Sequence, residues 1–313
     1  MPPLPASAMP VEVALDYVRR VVNRHHPTAQ MRCSKPVIGP LVTAFRKAVW
    51  RAIGLEHAFI EKQNQLNLTL SRLEMERLTR CYWQFRPGTL DRAIFDGVVV
   101  FNEYQLPDTF KPDDIVLDIG THIGSFCLAA FLRGAGSIHG FEPDRQNYEL
   151  AVANLRPFAG RVCIHNKAVW RSDRRGDRLF FGGYADTNTA GGSVLFDTAG
   201  HQLEVEAFDD IVREVTGNGK KRIRLVKIDC EGAEFPILLT SRTLHWIDAI
   251  CGEYHEINDG RYNAEQITDV ARVQGVERFT MEELTRCLER AGFTVRSERS
   301  DESALGHFHA SRN

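Results

Sequence analysis

The chain has 313 residues, enough for one large α/β domain and an accessory region, and its 43% hydrophobic and 26% charged content is that of a soluble globular protein. Its seven cysteines, at positions 33, 81, 127, 163, 230, 251 and 287, are odd in number and contain no C-x-x-C pair. That argues against a disulfide scaffold or thiolate zinc site and for a reducing, cytoplasmic setting. The net charge of −2 conceals a split, because residues 1–92 hold 14 Lys/Arg against 7 Asp/Glu and the remainder is acidic.

Residues 1–10 have neither a basic start nor a long apolar core and read as a tail, not a signal peptide. Helical periodicity covers 11–25 and 41–82, with breakers between His26 and Pro40. Over 41–55, Leu41, Phe45, Ala48, Ala52 and Leu55 share one face, opposite Arg46, Lys47 and Arg51. Such a helix suits packing against the main domain or peripheral contact with a membrane. Phe59, Leu66 and Leu73 recur at sevens, a pattern open to a homodimer contact through these N-terminal helices. The basic excess reads as a solvated helical surface, and no nucleic-acid partner is expected. These features define a helical accessory region over 1–90.

From about residue 91 the rhythm becomes that of an α/β domain running to residue 313. The segment 92–114, RAIFDGVVVFNEYQLPDTFKPDD, predicts a strand or hairpin followed by a turn at Pro107 and Pro112. Ile115–Ile119 is a short apolar run without alternation, as expected of a strand covered on both faces. Ser137–Phe141 reads as the second strand, and Asp144 opens a helix with Tyr148, Ala151, Val152 and Leu155 on one face. Further strands are expected at 161–165, 203–205, 223–228 and 249–254, and a helix at 209–215. Residues 182–193 form a glycine-rich loop. Thr280 and Glu283 form a capping box for a helix that stops at Gly292, before strands at 293–295 and 306–310. Strands alternating with helices in this way are the signature of a parallel sheet.

Three motifs carry chemistry. In IVLDIGTHIG (115–124), Asp118 ends the strand, and Gly120 and Gly124 bracket a turn around His122, where a ligand can approach the backbone. The spacing D-x-G-x-x-x-G departs from the G-x-G-x-x-G of dinucleotide sites and suits a ligand without a diphosphate. Glu142, at the end of the second strand, is placed to accept hydrogen bonds from both hydroxyls of a ribose. A ribose without a diphosphate points to S-adenosylmethionine. In KIDCEGAE (227–234), Asp229 ends a strand beside the expected sulfonium, Lys227 shares its face, Glu231 lies on the next turn and Glu234 begins a helix. His255, in GEYHE, reaches the same sheet edge and can take a proton from an acceptor hydroxyl. Asp229, Glu231 and His255 could also hold magnesium, manganese or iron. Single residues on separate strands do not make a metal motif, so no metal site is assigned.

These pieces together resemble the FkbM-like family of S-adenosylmethionine-dependent (class I) methyltransferases. The resemblance rests on VLDIGTHIG, GFEPDRQNYELAVANL, HNKAVWRSD, AGGSV, LVKIDCEGAEFPIL and GEYHE, and runs from about Phe95 onward. It implies a Rossmann-like, seven-stranded, mostly parallel sheet and methyl transfer to a hydroxyl of a sugar, polyketide or related small-molecule or glycan acceptor. It adds Asn166 and Ala168 to the cofactor set of Asp118, Gly120, His122, Gly124 and Glu142, and sets Ser193 and Glu234 on the acceptor side of Asp229, Glu231 and His255. His122 stands where the family usually has asparagine. Two other readings stay open: a nicotinamide-dependent oxidoreductase, which the missing glycine opposes, and a non-catalytic cofactor-binding scaffold that recruits a partner through its basic helices.

Overall fold

The computed structural model describes residues 83–182, 188–195, 201–257, 267–299 and 304–312. The expectations for residues 1–82, including the membrane-facing helix and the dimer stripe, lie outside these, as do residues 183–187 of the glycine-rich loop.

A seven-stranded sheet forms the centre. Its strands are β1 (Ile115–Ile119), β2 (Ser137–Phe141), β3 (Val162–His165), β8 (Ile223–Ile228), β9 (Ala249–His255), β10 (Thr294–Arg299) and β11 (Leu305–Ser311). The order is β10-β11-β9-β8-β1-β2-β3, and β11 runs antiparallel to both of its neighbours while the other pairs are parallel. Four short strands, β4 (Ala168–Trp170), β5 (Phe180–Phe181), β6 (His201–Gln202) and β7 (Val205–Ala207), pair two by two beside it. Of the strand expected at 203–205, only Val205 lies in a strand, as the first residue of β7.

Alternate residues of each central strand feed two apolar layers. Leu117, Val226, Ile228 and Ile250 join Phe208, Ile211, Phe235 and Leu284 from helices α4 (Phe208–Thr216), α5 (Glu234–Thr240) and α6 (Met281–Arg290). On the opposite face Val116, Leu225 and Cys251 meet α2 (Ser125–Leu132), all eight of whose residues are buried. A helix apolar all round must lie in the interior, which is why 126–132 reads as one hydrophobic block. Among the described residues no helix is long and apolar enough to cross a membrane.

Two expectations change. Residues 91–100 form not a strand or hairpin but helix α1 (Asp91–Phe95), continuing as a π-helical turn over Asp96–Val100. The Val98–Val100 run has strand propensity, but Val98 and Val99 are buried in the α2 layer, and Arg92 pairs with Asp96 one helical turn on. Tertiary packing overrides local preference here. The second change concerns α3 (Arg145–Leu155), whose cap is as expected, with Asp144 accepting from the Asn147 amide at 2.8 Å. Its buried face is Asn147, Ala151, Asn154 and Leu155, and Val152 is exposed. Two polar residues occupy inward positions because each is bonded there, as Asn154 is to Gln84 and to the Ile123 carbonyl. Apolar periodicity alone cannot reveal such a face.

Candidate active site

The carboxyl ends of β1, β2 and β8 open onto one cleft of about 850 Å³, including its mouth, a size that accommodates a nucleoside-sized ligand. Gly120, His122, Glu142, Ala168, Asp229 and Glu231 line it. Asp118, Gly124, Asn166, Ser193, Glu234 and His255 stand behind that lining and hold it.

The turn after β1 is built by backbone constraint. Gly120 has φ +79°, and a Cβ there would fall 1.9 Å from the Asp229 carbonyl oxygen, so the β1 and β8 turns touch only because glycine is present. Asp118 is wholly buried beneath, 3.3 Å from Lys227 Nζ, and accepts from the Cys127 thiol. Lys227 Nζ, on β8, also donates to the carbonyls of Ile119 and Gly120, so a single amine fastens the β1 turn to β8. Burial opposes its charge, but Asp118 and Asp229 outweigh that and hold its pKa above the usual lysine value. Gly124, at φ +95°, lets the chain enter α2 against Leu155.

His122 has φ +52°, a left-handed conformation that asparagine and histidine enter more readily than most residues, which explains the exchange at this position. Its ring is buried, and burial lowers its pKa. Arg86 Nη2 lies 3.2 Å and Asp91 Oδ1 3.3 Å from His122 Nε2. Thr189 Oγ1 is 2.9 Å from the same Nε2, accepts from Arg86 and donates to Asp91. Arg86 and Asp91 form a two-pronged pair at 2.9 Å. The segment 83–90 and the glycine-rich loop are thereby tied together over the β1 turn, a network that no local sequence pattern announces.

Glu142 is 4% exposed and already engaged: Oε2 accepts from the His122 amide at 2.7 Å, and Oε1 from the Asp144 amide at 3.0 Å. Burial nevertheless pushes its carboxyl up to about 7. Oε1 also accepts from the Asn147 side chain at 3.4 Å, so it is Oε2 that retains lone-pair capacity. Asn166 donates to the Glu142 and Pro143 carbonyls and so fixes this corner from behind, while Ala168 forms part of the wall.

At the far end, Asp229 Oδ2 accepts from the Tyr104 hydroxyl at 2.7 Å and lies 3.9 Å from Lys227 Nζ. Burial would raise its pKa, but Lys227, His255 and Tyr104 together bring it below the ordinary value. Glu231 sits at φ +51° beside it. Ser193 donates to the Glu231 carbonyl at 2.9 Å and steadies this turn from outside the cleft. Glu234, fully buried, accepts from the amides of Gly232 and His255 and pairs with His255 Nδ1 at 3.0 Å. Its hydrogen bonds are thus made inside the turn and to His255. His255 is also buried; burial disfavours its charge, but Glu231, Glu234 and Glu253 outweigh this and raise its pKa well above that of free imidazole.

Residues 118–295 match the family model described as the methyltransferase FkbM domain. The chain belongs to this family. Membership of this family speaks against the nicotinamide-dependent oxidoreductase reading. It is 25% identical to the AMB antimetabolite synthetase AmbE of Pseudomonas aeruginosa over 53% of this chain and 10% of that protein, so it spans a tenth of that relative's length. Similar solved structures include the methyltransferase FkbM of Methylobacillus flagellatus KT, at 15% identity and a TM-score of 0.41, covering 86% of this chain and 58% of that one. TrmK of M. capricolum, solved with the cofactor product S-adenosyl-homocysteine, is 10% identical with a TM-score of 0.37, covering 68% and 67% of the two chains.

Proposed function

We propose that this methyltransferase binds S-adenosylmethionine in the cleft and methylates a hydroxyl group of a small, sugar- or polyketide-like acceptor. The observation that carries the reading is the polarity of the cleft. One end offers Glu142 beside the apolar walls of Phe141, Ala168 and Val169; the other offers the carboxylates of Asp229 and Glu231. The residues fit the cofactor. Ser125 Oγ, His122 Nδ1 and Asn147 Oδ1 are buried atoms of cleft residues without hydrogen-bond partners, the groups a polar ligand would satisfy. Glu142 would take the ribose hydroxyls, the apolar wall the adenine, and the Gly120 turn the amino-acid portion.

S-adenosylmethionine supplies a methyl group activated by a sulfonium. The chain supplies position: Tyr104 and Lys227 keep the Asp229 carboxylate fixed and ionised, and Glu231 stands next to it to receive the acceptor's proton. Alignment and exclusion of water supply most of the rate. The described cysteines, 127, 163, 230, 251 and 287, are all unbridged thiols, which supports a cytoplasmic setting.

The test is transfer of labelled methyl from S-adenosylmethionine to matched panels of glycosides and polyketide alcohols, amines and thiols, with the product bond located by mass spectrometry. Methyl ethers are expected. Products confined to amines or thiols would overturn the hydroxyl assignment.

A further inference from the structure

At the end of the cleft away from Glu142, neighbouring strands bring further ligating groups onto one face of the sheet. The parallel register sets Lys227 opposite Cys251, so Glu253 stands beside Asp229, and His255, two residues on, shares that face. Oxygen atoms of Asp229 and Glu253 and a ring nitrogen of His255 all lie within 4.8 Å of one another. Ligands about 2.1 Å from a common ion span up to roughly 4.2 Å, so small side-chain adjustments close the set.

Two independent observations point to a cation. Glu234, outside this trio and fully buried, holds both the amide and Nδ1 of His255, which aims Nε2 at the carboxylates, 3.4 Å from Glu231 and 3.9 Å from Glu253. A buried carboxylate behind an imidazole is the arrangement that orients metal-binding histidines. The second is a charge imbalance. Among the described residues the carboxylates of Glu103, Glu231 and Glu253 accept no hydrogen bond, and Lys227 is committed to Asp118 and the β1 turn. Crowded carboxylates in a low-dielectric site take up either protons or a cation.

We propose that Asp229, Glu253 and His255 bind a divalent cation, of the magnesium or manganese type, at the acceptor end of the cleft. Two carboxylates and one imidazole favour such ions over thiophilic ones. Any role in polarising the acceptor rests on the hydroxyl chemistry proposed above; cation binding itself does not.

The full-length chain, stripped with EDTA, is titrated with Mn²⁺ alone by calorimetry and electron paramagnetic resonance, and separately with S-adenosylhomocysteine. One Mn²⁺ per chain is expected, with affinity lowered about tenfold or more in Glu253→Gln and partly restored in Glu253→Asp. S-adenosylhomocysteine binding by both variants verifies the fold. No stoichiometric Mn²⁺ site in the wild type, equal affinity in Glu253→Gln, or loss in Glu253→Asp as complete as in Glu253→Gln would overturn the proposal. Mn²⁺ binding without S-adenosylhomocysteine binding would sink the cofactor reading alone.

Discussion

Tyr104 is the residue that changes the picture of Asp229 most. It lies 125 positions away in sequence, yet its hydroxyl donates to Oδ2 at 2.7 Å, in a segment read from sequence as a hairpin. A hydrogen bond to a charged group is worth about 1.5–3 kcal/mol. Tyr104→Phe should therefore lower kcat roughly 10- to 100-fold with little change in cofactor affinity, because it frees the carboxylate to rotate at the acceptor end only. Steady-state kinetics beside calorimetry checks this, and an equal loss of cofactor affinity would show that Tyr104 shapes the whole cleft instead. Glu142 carries a different consequence. Its carboxyl ionises near 4.5 when exposed and about 7 in the fold. Between those values the folded chain holds the extra proton, so this group's contribution to stability falls as pH rises through the window. A ligand that needs the carboxylate gains affinity over the same rise, by up to about tenfold per pH unit.

Among the elements, the sheet was legible because buried parallel strands are short, mostly apolar runs rich in Ile, Val and Leu that lead into acid- and glycine-bearing turns, as in 115–120 and 223–232. What stayed hidden was hidden for stated reasons. The π-helical turn over Asp96–Val100 uses β-branched residues that only tertiary packing can hold helical. The inward face of α3 presents Asn147 and Asn154, polar residues whose partners lie in distant loops. The Asn147 side chain donates to the Thr189 carbonyl at 2.9 Å, and Arg86, Asp91 and His122 converge on the Thr189 hydroxyl. That hydroxyl is the clasp of the glycine-rich loop. Thr189→Val should release it: the amides of residues 190–195 should exchange about 10- to 100-fold faster, as expected for loss of a buried bond worth about 1–3 kcal/mol. Unchanged hydrogen-exchange rates would mean that the Asn147 contact and the Ser193 bond to Glu231 suffice.

Across the whole molecule, the match over 118–295 covers the sheet from the end of β1 to the start of β10, but the cleft draws on more. Trp83 and Phe85 pack against Phe95, and Gln84 bonds Asn154, so the segment from residue 83 belongs physically to the methyltransferase core. The most direct measurement on the full chain is calorimetric titration with S-adenosylhomocysteine and with NAD, at pH 6 and pH 8, for the wild type and Glu142→Gln. The expected result is one S-adenosylhomocysteine site and no NAD site. Binding should be tighter at pH 8 in the wild type, but weaker and nearly independent of pH in the variant. Binding of NAD in preference, or the same affinity and pH dependence in both proteins, would contradict the assignment of this cleft to the adenosyl cofactor.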